Sequence, residues 1–91
     1  MFEWDEAKRR LNRDKHGVDF VEIDGFEWET AVTREDGRGE YGERRFVSAG
    51  LIGDRLHVCV WTGQDGAPRL ISLRKANPRE RKNYEQAQKL H

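Results

Sequence analysis

Arg69-Leu70-Ile71-Ser72-Leu73-Arg74-Lys75-Ala76-Asn77-Pro78-Arg79-Glu80-Arg81-Lys82-Asn83-Tyr84-Glu85-Gln86 is the stretch that decides the fold. Leu70 to Leu73 is apolar enough to lie in a sheet, and Arg74 and Lys75 follow at once. Asn77-Pro78 then starts a helix. Asn77 suits the cap, Pro78 suits the first helical position, and Glu80 falls three residues after the cap. Six cations (Arg69, Arg74, Lys75, Arg79, Arg81, Lys82) stand against two acids (Glu80, Glu85). A strand end and a helix start that present arginines together suit the handling of phosphates.

Working back from this stretch, Gly63 to Pro68 is a turn. Arg55 to Thr62 is the most hydrophobic strand, and Gly53-Asp54 is a two-residue hairpin signal that joins it to a strand over Arg45 to Ile52. Thr30-Ala31-Val32-Thr33 begins a first strand. Residues 36–42 carry three glycines and read as a loop or long hairpin. Near the N-terminus, Asp5 caps a helix over Glu6 to His16, and Gly17 can take the left-handed position that ends it. Trp4, Ala7 and Leu11 form an apolar stripe at helical spacing. Asp19, with Glu22 three residues later, starts a second, short helix that Gly25 weakens. Phe20, Ile23 and Phe26 are its core residues. The expected fold is therefore α+β: two N-terminal helices, a four-stranded antiparallel meander and a C-terminal helix, in the order ααββββα.

With 91 residues, 35% of them hydrophobic and 37% charged, residues 1–91 form one domain with a thin core. The net charge of zero conceals a segregation. Residues 19–43 hold two cations and nine acids, whereas residues 44–91 hold ten cations and four acids. Such a division suits a polyanion-binding face, a charge-matched protein partner, or both, although charges in a small polar protein also serve simply to cover solvent-facing positions. The single cysteine, Cys59, lies between two valines and reads as a small buried hydrophobe, so no disulfide is possible within the chain. No signal peptide and no membrane-length apolar run is visible, and the cytoplasm is the expected location.

Three histidines (His16, His57, His91) and one cysteine fall at no metal-ligand spacing, so no metal is expected. Phosphate-cradling and dinucleotide-binding glycine motifs and a nucleophile elbow are also absent, so no cofactor is expected. Strand alternation puts Leu70, Ser72 and Arg74 on one face of the last strand and Ile71 and Leu73 on the other. One register of the third strand brings His57 and Trp61 onto the same open face as Ser72 and Arg74. On the last helix, Arg81 and Tyr84 are three apart and share a face.

That assembly suits RNA cleavage without a metal. A ribose 2′-hydroxyl attacks the neighbouring phosphate, and the protein supplies cations for the pentavalent transition state and a proton acceptor and donor. Arg45, Arg69 and Arg74 are candidates for the first task, His57 or Tyr84 for the second, and Trp61 for stacking on a base. Each has a second reading. Arginines at strand ends also serve as solvated edge charges. His57 also reads as a hydrogen-bonded structural residue, Trp61 as core, and Tyr84 as the residue that packs the last helix on the sheet.

Three blocks carry a resemblance over nearly the whole chain. The first is Phe2-Glu3-Trp4-Asp5 with Lys8, Asn12, Lys15-His16-Gly17-Val18 and Phe20. The second is Gly42-Glu43, Arg45-Phe46-Val47 and Gly50-Leu51-Ile52-Gly53. The third is Arg69-Leu70-Ile71-Ser72-Leu73-Arg74-Lys75-Ala76, Arg79-Glu80-Arg81 and Tyr84-Glu85. In these the chain resembles the BrnT family of toxins, from BrnT–BrnA type II toxin–antitoxin systems. The resemblance implies a RelE-like fold, an endoribonuclease that arrests growth, and a cognate ribbon-helix-helix antitoxin of the BrnA kind. It further implies that operator DNA is bound, and repressed, only through the toxin–antitoxin complex. Arg45, Arg69, Ser72, Arg74 and Lys75 would then orient and stabilise the phosphate, supported by Tyr84, while His57, Trp61 and Arg81 would hold the substrate. Where the family pattern has an arginine after the third-strand aromatic, this chain has Gln64, and the family's Ser-Ala-Arg is here Ser72-Leu73-Arg74. A rival expectation from the same resemblance is a catalytically weak or inactive homologue that binds the antitoxin and tunes repression.

Overall fold

The computed structural model describes residues 2–38, 43–63 and 66–90. Gln64 and His91, and most of the loop read over residues 36–42, lie outside the described residues. Helix α1 spans Glu6–His16, strands β1 to β4 span Val32–Arg38, Arg44–Ile52, Arg55–Gly63 and Arg69–Lys75, and helix α2 spans Pro78–Lys89. The sheet is an antiparallel meander in the order β1-β2-β3-β4. The α+β architecture expected from the sequence is the one observed.

Local chemistry explains most element ends. Asp5 accepts from the amides of Ala7 and Lys8, and Gly17, with φ of 72°, ends α1 in the left-handed conformation. Asn77 and Glu80 form a reciprocal capping box, with Pro78 in the first turn of α2. Asp19 and Glu22 form a second such box, but the segment that they start, Phe20–Gly25, is a 3₁₀ helix rather than an α-helix. A six-residue segment ending in glycine is too short to propagate α-helix. Trp28–Thr30 adds a further 3₁₀ turn, which delays β1 to Val32 rather than Thr30. In return β1 runs on through Asp36 and Gly37, part of what reads in sequence as loop, with an irregular register between Glu35 and Arg38.

Two apolar clusters lie on opposite sides of the sheet. On one side Cys59, Leu70 and Leu73 pack with Val18, Phe20, Ile23 and Phe26 from the N-terminal third. Burial pushes the Cys59 thiol up to about 12, so it is an inert core group. On the other side Leu56, Val58 and Ala76 pack with Val47, Ala49, Leu51 and Tyr84.

Strand β4 departs from simple alternation. Val60 opposes Ser72 whereas Trp61 opposes Leu70, which leaves Ile71 as an extra residue on β4. This bulge turns Leu70 to the helix-covered side, together with Leu73. The parity expectation for Leu73 holds, and that for Leu70 and Ile71 is overturned.

Helix α1 docks differently from its apolar stripe. Ala7 is exposed and Leu11 is 67% exposed, while Asn12 is buried. Asn12 Oδ1 accepts from the Leu73 amide at 3.1 Å, and its Nδ2 donates to the Leu73 carbonyl at 2.7 Å and to the Val18 carbonyl at 3.0 Å. The helix thus seals an open strand edge, where unpaired backbone groups need an amide rather than a leucine. Glu3 seals the rest of that edge by exchanging backbone hydrogen bonds with Pro68 and Leu70.

Candidate functional site

Opposed residues in an antiparallel ladder project to the same side, so the register sorts the candidates by face. Arg45, Thr62 and Arg69 form one row across β2, β3 and β4. The next row on that side is Arg34, Val47, Val60 and Ser72, and the one after it is Val32, Ala49, Val58 and Arg74. Val18 to Phe26, with Phe2 and Trp4, cover the opposite face, so this face is left to α2.

Helix α2 crosses only one end of it. The Tyr84 hydroxyl and Gln88 Nε2 both donate to the Thr30 carbonyl, at 3.1 and 3.0 Å, which ties the helix across to the start of β1. Between α2 and the strands lies a cleft of about 410 Å³. Val32, Val47, Ala49 and Val58 form its floor, Glu80, Asn83 and Tyr84 its roof, and Arg34 stands at its β1 side.

Charge is distributed unevenly over the face. Arg74 is held by Glu80 through Nη1–Oε1 at 2.8 Å and Nη2–Oε2 at 2.9 Å, and Arg34 is paired with Asp36 at 2.9 Å. The hydrogen bonds between them raise Arg74 above its ordinary range and lower Glu80. Arg45 and Arg69 have no carboxylate partner among the described residues. Arg45 Nε and Thr62 Oγ1 are buried with no hydrogen-bond partner among the described residues. Among the described residues, the face arginines without a carboxylate partner therefore sit in the row away from α2, where Arg69 shares a pocket with Glu3 and Asp5.

Four of the residues singled out in the sequence, Arg45, Arg69, Ser72 and Arg74, share this face, and Tyr84 leans over it from α2. Lys75 opposes His57 and so leaves the sheet on the other side, exposed. Arg81 is exposed on α2, and the cleft is lined without it.

The register that put His57 and Trp61 beside Ser72 and Arg74 is overturned, because both alternate with Val58 and Val60 and so point with Cys59 toward the helices. His57 is 4% exposed, with Nδ1 2.9 Å from the Arg55 carbonyl. Trp61 donates from Nε1 to Ser48 Oγ at 2.9 Å and stacks on Phe46 at 4.6 Å between centroids. Phe2 and Trp28 pack against it edge-on, each at 6.0 Å. It is the hub of an aromatic cluster under the helix side.

Two residues of this region escaped the sequence reading. Thr62 lies between Arg45 and Arg69. His16, which reads in sequence as the end of α1, is half-buried in a groove against Ser72. The signal for His16 was its spacing: it lies one helical turn after Asn12, which bonds β4. Among the described residues no group of three or more His, Cys, Asp or Glu converges as a metal would need, and no helix is long and apolar enough to cross a membrane.

A search of curated proteins gives no match. A comparison with protein families matches residues 4–80 to the family described as "Ribonuclease toxin, BrnT, of type II toxin-antitoxin system". That span takes in α1, the whole sheet and the capping box of α2, and the chain belongs to the BrnT family of ribonuclease toxins.

Proposed function

We propose that this protein is an endoribonuclease that cleaves RNA without a metal, on the sheet face carrying Arg45, Arg69, Ser72 and Arg74. The observation that carries this reading is the register. It gathers three arginines from two strands, and a serine, on the one side of the sheet that the N-terminal third of the chain leaves uncovered. Arg45 and Arg69 bind the backbone phosphates, and Arg74 stabilises the charge that develops on the non-bridging oxygens of the attacked phosphate. Ser72 donates a hydrogen bond to a phosphate oxygen, and Tyr84 lines the path of the RNA. Growth arrest follows from loss of RNA in the cytoplasm. A cognate ribbon-helix-helix antitoxin covers this face, and the complex of the two binds and represses its operator.

The test is expression of the chain alone under tight control, with bulk RNA and growth followed, and cleavage by the purified protein measured with and without EDTA. Intact RNA and normal growth in the presence of soluble protein sink the enzyme reading. Cleavage abolished by EDTA sinks the metal-free mechanism. Arg74→Ala that remains fully toxic removes Arg74 from the site. A second reading, a non-catalytic module that binds antitoxin and tunes repression, is favoured by one observation: Arg74 is already neutralised by Glu80. It predicts antitoxin binding and operator repression with no RNA loss.

A further inference from the structure

Among the described residues, the sheet face supplies arginines but no group suited to take a proton at neutral pH. Tyr84 is tied to Thr30, and His57 is buried on the far side. The described residues offer one other imidazole. His16 lies at the C-terminal end of α1, half-buried, in a groove of about 190 Å³ between α1 and β4. Lys8, Leu11 and Lys15 form the helix wall of that groove, and Ile71 and Ser72 form its strand wall.

The bulge falls at this groove, with its extra residue, Ile71, in the lining. It keeps Leu70 in the core and re-aims Ile71, while Ser72 both shares the arginine face and lines the groove beside His16. Asn12 fixes the distance between helix and strand with its two bonds to Leu73. Lys8 and Lys15 are exposed, and neither has a carboxylate partner among the described residues. A groove with two free lysines, an imidazole and a serine, continuous with an arginine-bearing face, fits a phosphodiester chain that crosses from one to the other.

We propose that this groove holds the RNA strand at the scissile linkage and that His16 is the general base that takes the proton of the attacking 2′-hydroxyl. The proposal rests on the ribonuclease reading above. In the step, the 2′-oxygen–phosphorus bond forms as the bond from phosphorus to the leaving 5′-oxygen breaks. The 2′-proton passes to the free ring nitrogen of His16, and the leaving oxygen takes a proton from water. The products carry a 2′,3′-cyclic phosphate and a 5′-hydroxyl. Lys8 and Lys15 hold the backbone, and Ser72 donates to a non-bridging oxygen.

The surroundings of His16 keep it in the state that this task needs. Burial lowers its proton affinity first, and the charges of Lys15 and Arg74 lower it further. Lys8 lines the same groove, the lining includes no carboxylate among the described residues, and Glu80 of α2 is committed to Arg74. The imidazole is therefore neutral at pH 7 and able to accept a proton.

The experiment is steady-state cleavage of a short RNA across pH by the wild type, His16→Gln and the double variant Lys8→Gln/Lys15→Gln. Circular dichroism and a thermal melt report that each variant is folded, and 2′-O-methyl RNA, which cannot be cleaved, reads binding. Wild-type kcat falls in an acid limb displaced below the ordinary imidazole range, where His16 takes up its proton. His16→Gln loses about 100-fold or more in kcat, keeps its KM and its affinity for 2′-O-methyl RNA, and loses that acid limb. The lysine variant raises KM and shallows the salt dependence of binding. His16→Gln that cleaves within threefold of wild type with the same acid limb overturns the assignment, as does cleavage that leaves no cyclic phosphate. A groove that instead serves a protein partner gives the first of these results. If the wild type itself binds RNA but does not cleave it, the ribonuclease reading falls, which no variant is needed to see.

Discussion

Arg74 and Glu80 meet fork to fork, with Nη1 2.8 Å from Oε1 and Nη2 2.9 Å from Oε2. The same carboxylate accepts the Asn77 amide at 2.9 Å, so one side chain closes the α2 cap and holds the arginine at the end of β4. The side chains are 35% and 27% exposed, and water screens the pair to a net of about 1 kcal/mol. Glu80→Gln keeps the cap, because glutamine serves at that position, and removes the charge. The variant should melt about 4–8 °C lower. It should also bind uncleavable RNA more tightly, because Arg74 is released. Unchanged affinity in a fluorescence titration would show that Arg74 does not bind phosphate.

Acid should unfold the protein at two marked points. Arg9 donates to Asp19 from Nε at 2.8 Å and from Nη2 at 3.2 Å, and the Val21 amide donates at 3.1 Å. These bonds hold the Asp19 carboxyl at about 2, below its ordinary 3.8. Glu80 is likewise lowered from 4.5, first by Arg74. A carboxyl depressed in the folded state stabilises the fold when ionised. Its contribution is complete above the ordinary value and is lost as the pH falls through the folded one. Melting temperature should therefore decline from about pH 4.5 downward and continue to fall toward pH 2. Asp19→Asn should lower the melting temperature at pH 7 and flatten the acid end of the curve. A variant whose curve runs parallel to the wild type would remove Asp19 from the account.

What could be read from the sequence was what local chemistry writes. Asp5 and Gly17 bracket α1, Gly53-Asp54 sets the β2–β3 hairpin, and Asn77, Pro78 and Glu80 start α2; each end depends on residues within a few positions of itself. The site needed more. Whether Leu70 or Ile71 faces the core depends on how β4 registers against β3, and a bulge in β4 reverses the answer. The same long-range register sends His57 and Trp61 to the helix side, although their spacing alone allows either face. Leu11 looks like core by period and is solvent-exposed, because α1 meets a strand edge rather than a sheet face.

That edge contact gives the third prediction. Asn12 is 6% exposed and makes three hydrogen bonds to backbone, two to Leu73 and one to Val18. Asn12→Ala leaves the Leu73 amide and two carbonyls without their partner and should cost about 2–3 kcal/mol. Asn12→Asp should cost more, because it sets a carboxylate against two carbonyl oxygens. Urea unfolding should show a lower midpoint with an unchanged slope. A loss below about 0.5 kcal/mol would mean that α1 is held by something other than this amide.

Gly50 allows a contact no other residue permits. A Cβ built there would lie 2.5 Å from Phe26 Cζ and 2.7 Å from Cε1, and Phe26 is 5% exposed in the core. The ring is packed in the core cluster and β2 is held by its ladder to β3, so Gly50→Ala should destabilise by about 1–3 kcal/mol through overpacking. Gly50→Ala with Phe26→Leu, which clears the ring atoms, should recover part of that loss in a thermal melt. An uncoupled, additive pair would place the strain elsewhere.

Thr62 supplies a prediction of the opposite sign. It is 1% exposed, and its Oγ1 has no hydrogen-bond partner among the described residues. A hydroxyl that gives up water and gains nothing costs about 1–3 kcal/mol. Thr62→Val puts a methyl in its place at nearly the same volume and keeps the β-branch that suits a strand. The variant should be more stable, with a higher melting temperature and an unchanged denaturant slope. Most buried substitutions destabilise, so a rise here is a sharp outcome. A fall would mean that the hydroxyl has a bound water or another partner after all. A rise would mean that the fold carries an unfavourable group between Arg45 and Arg69, the two face arginines without a carboxylate partner among the described residues. Groups that the fold would be better without concentrate where a ligand uses them. A rise in stability together with weaker binding of uncleavable RNA would therefore place Thr62 in the phosphate row with its two neighbours.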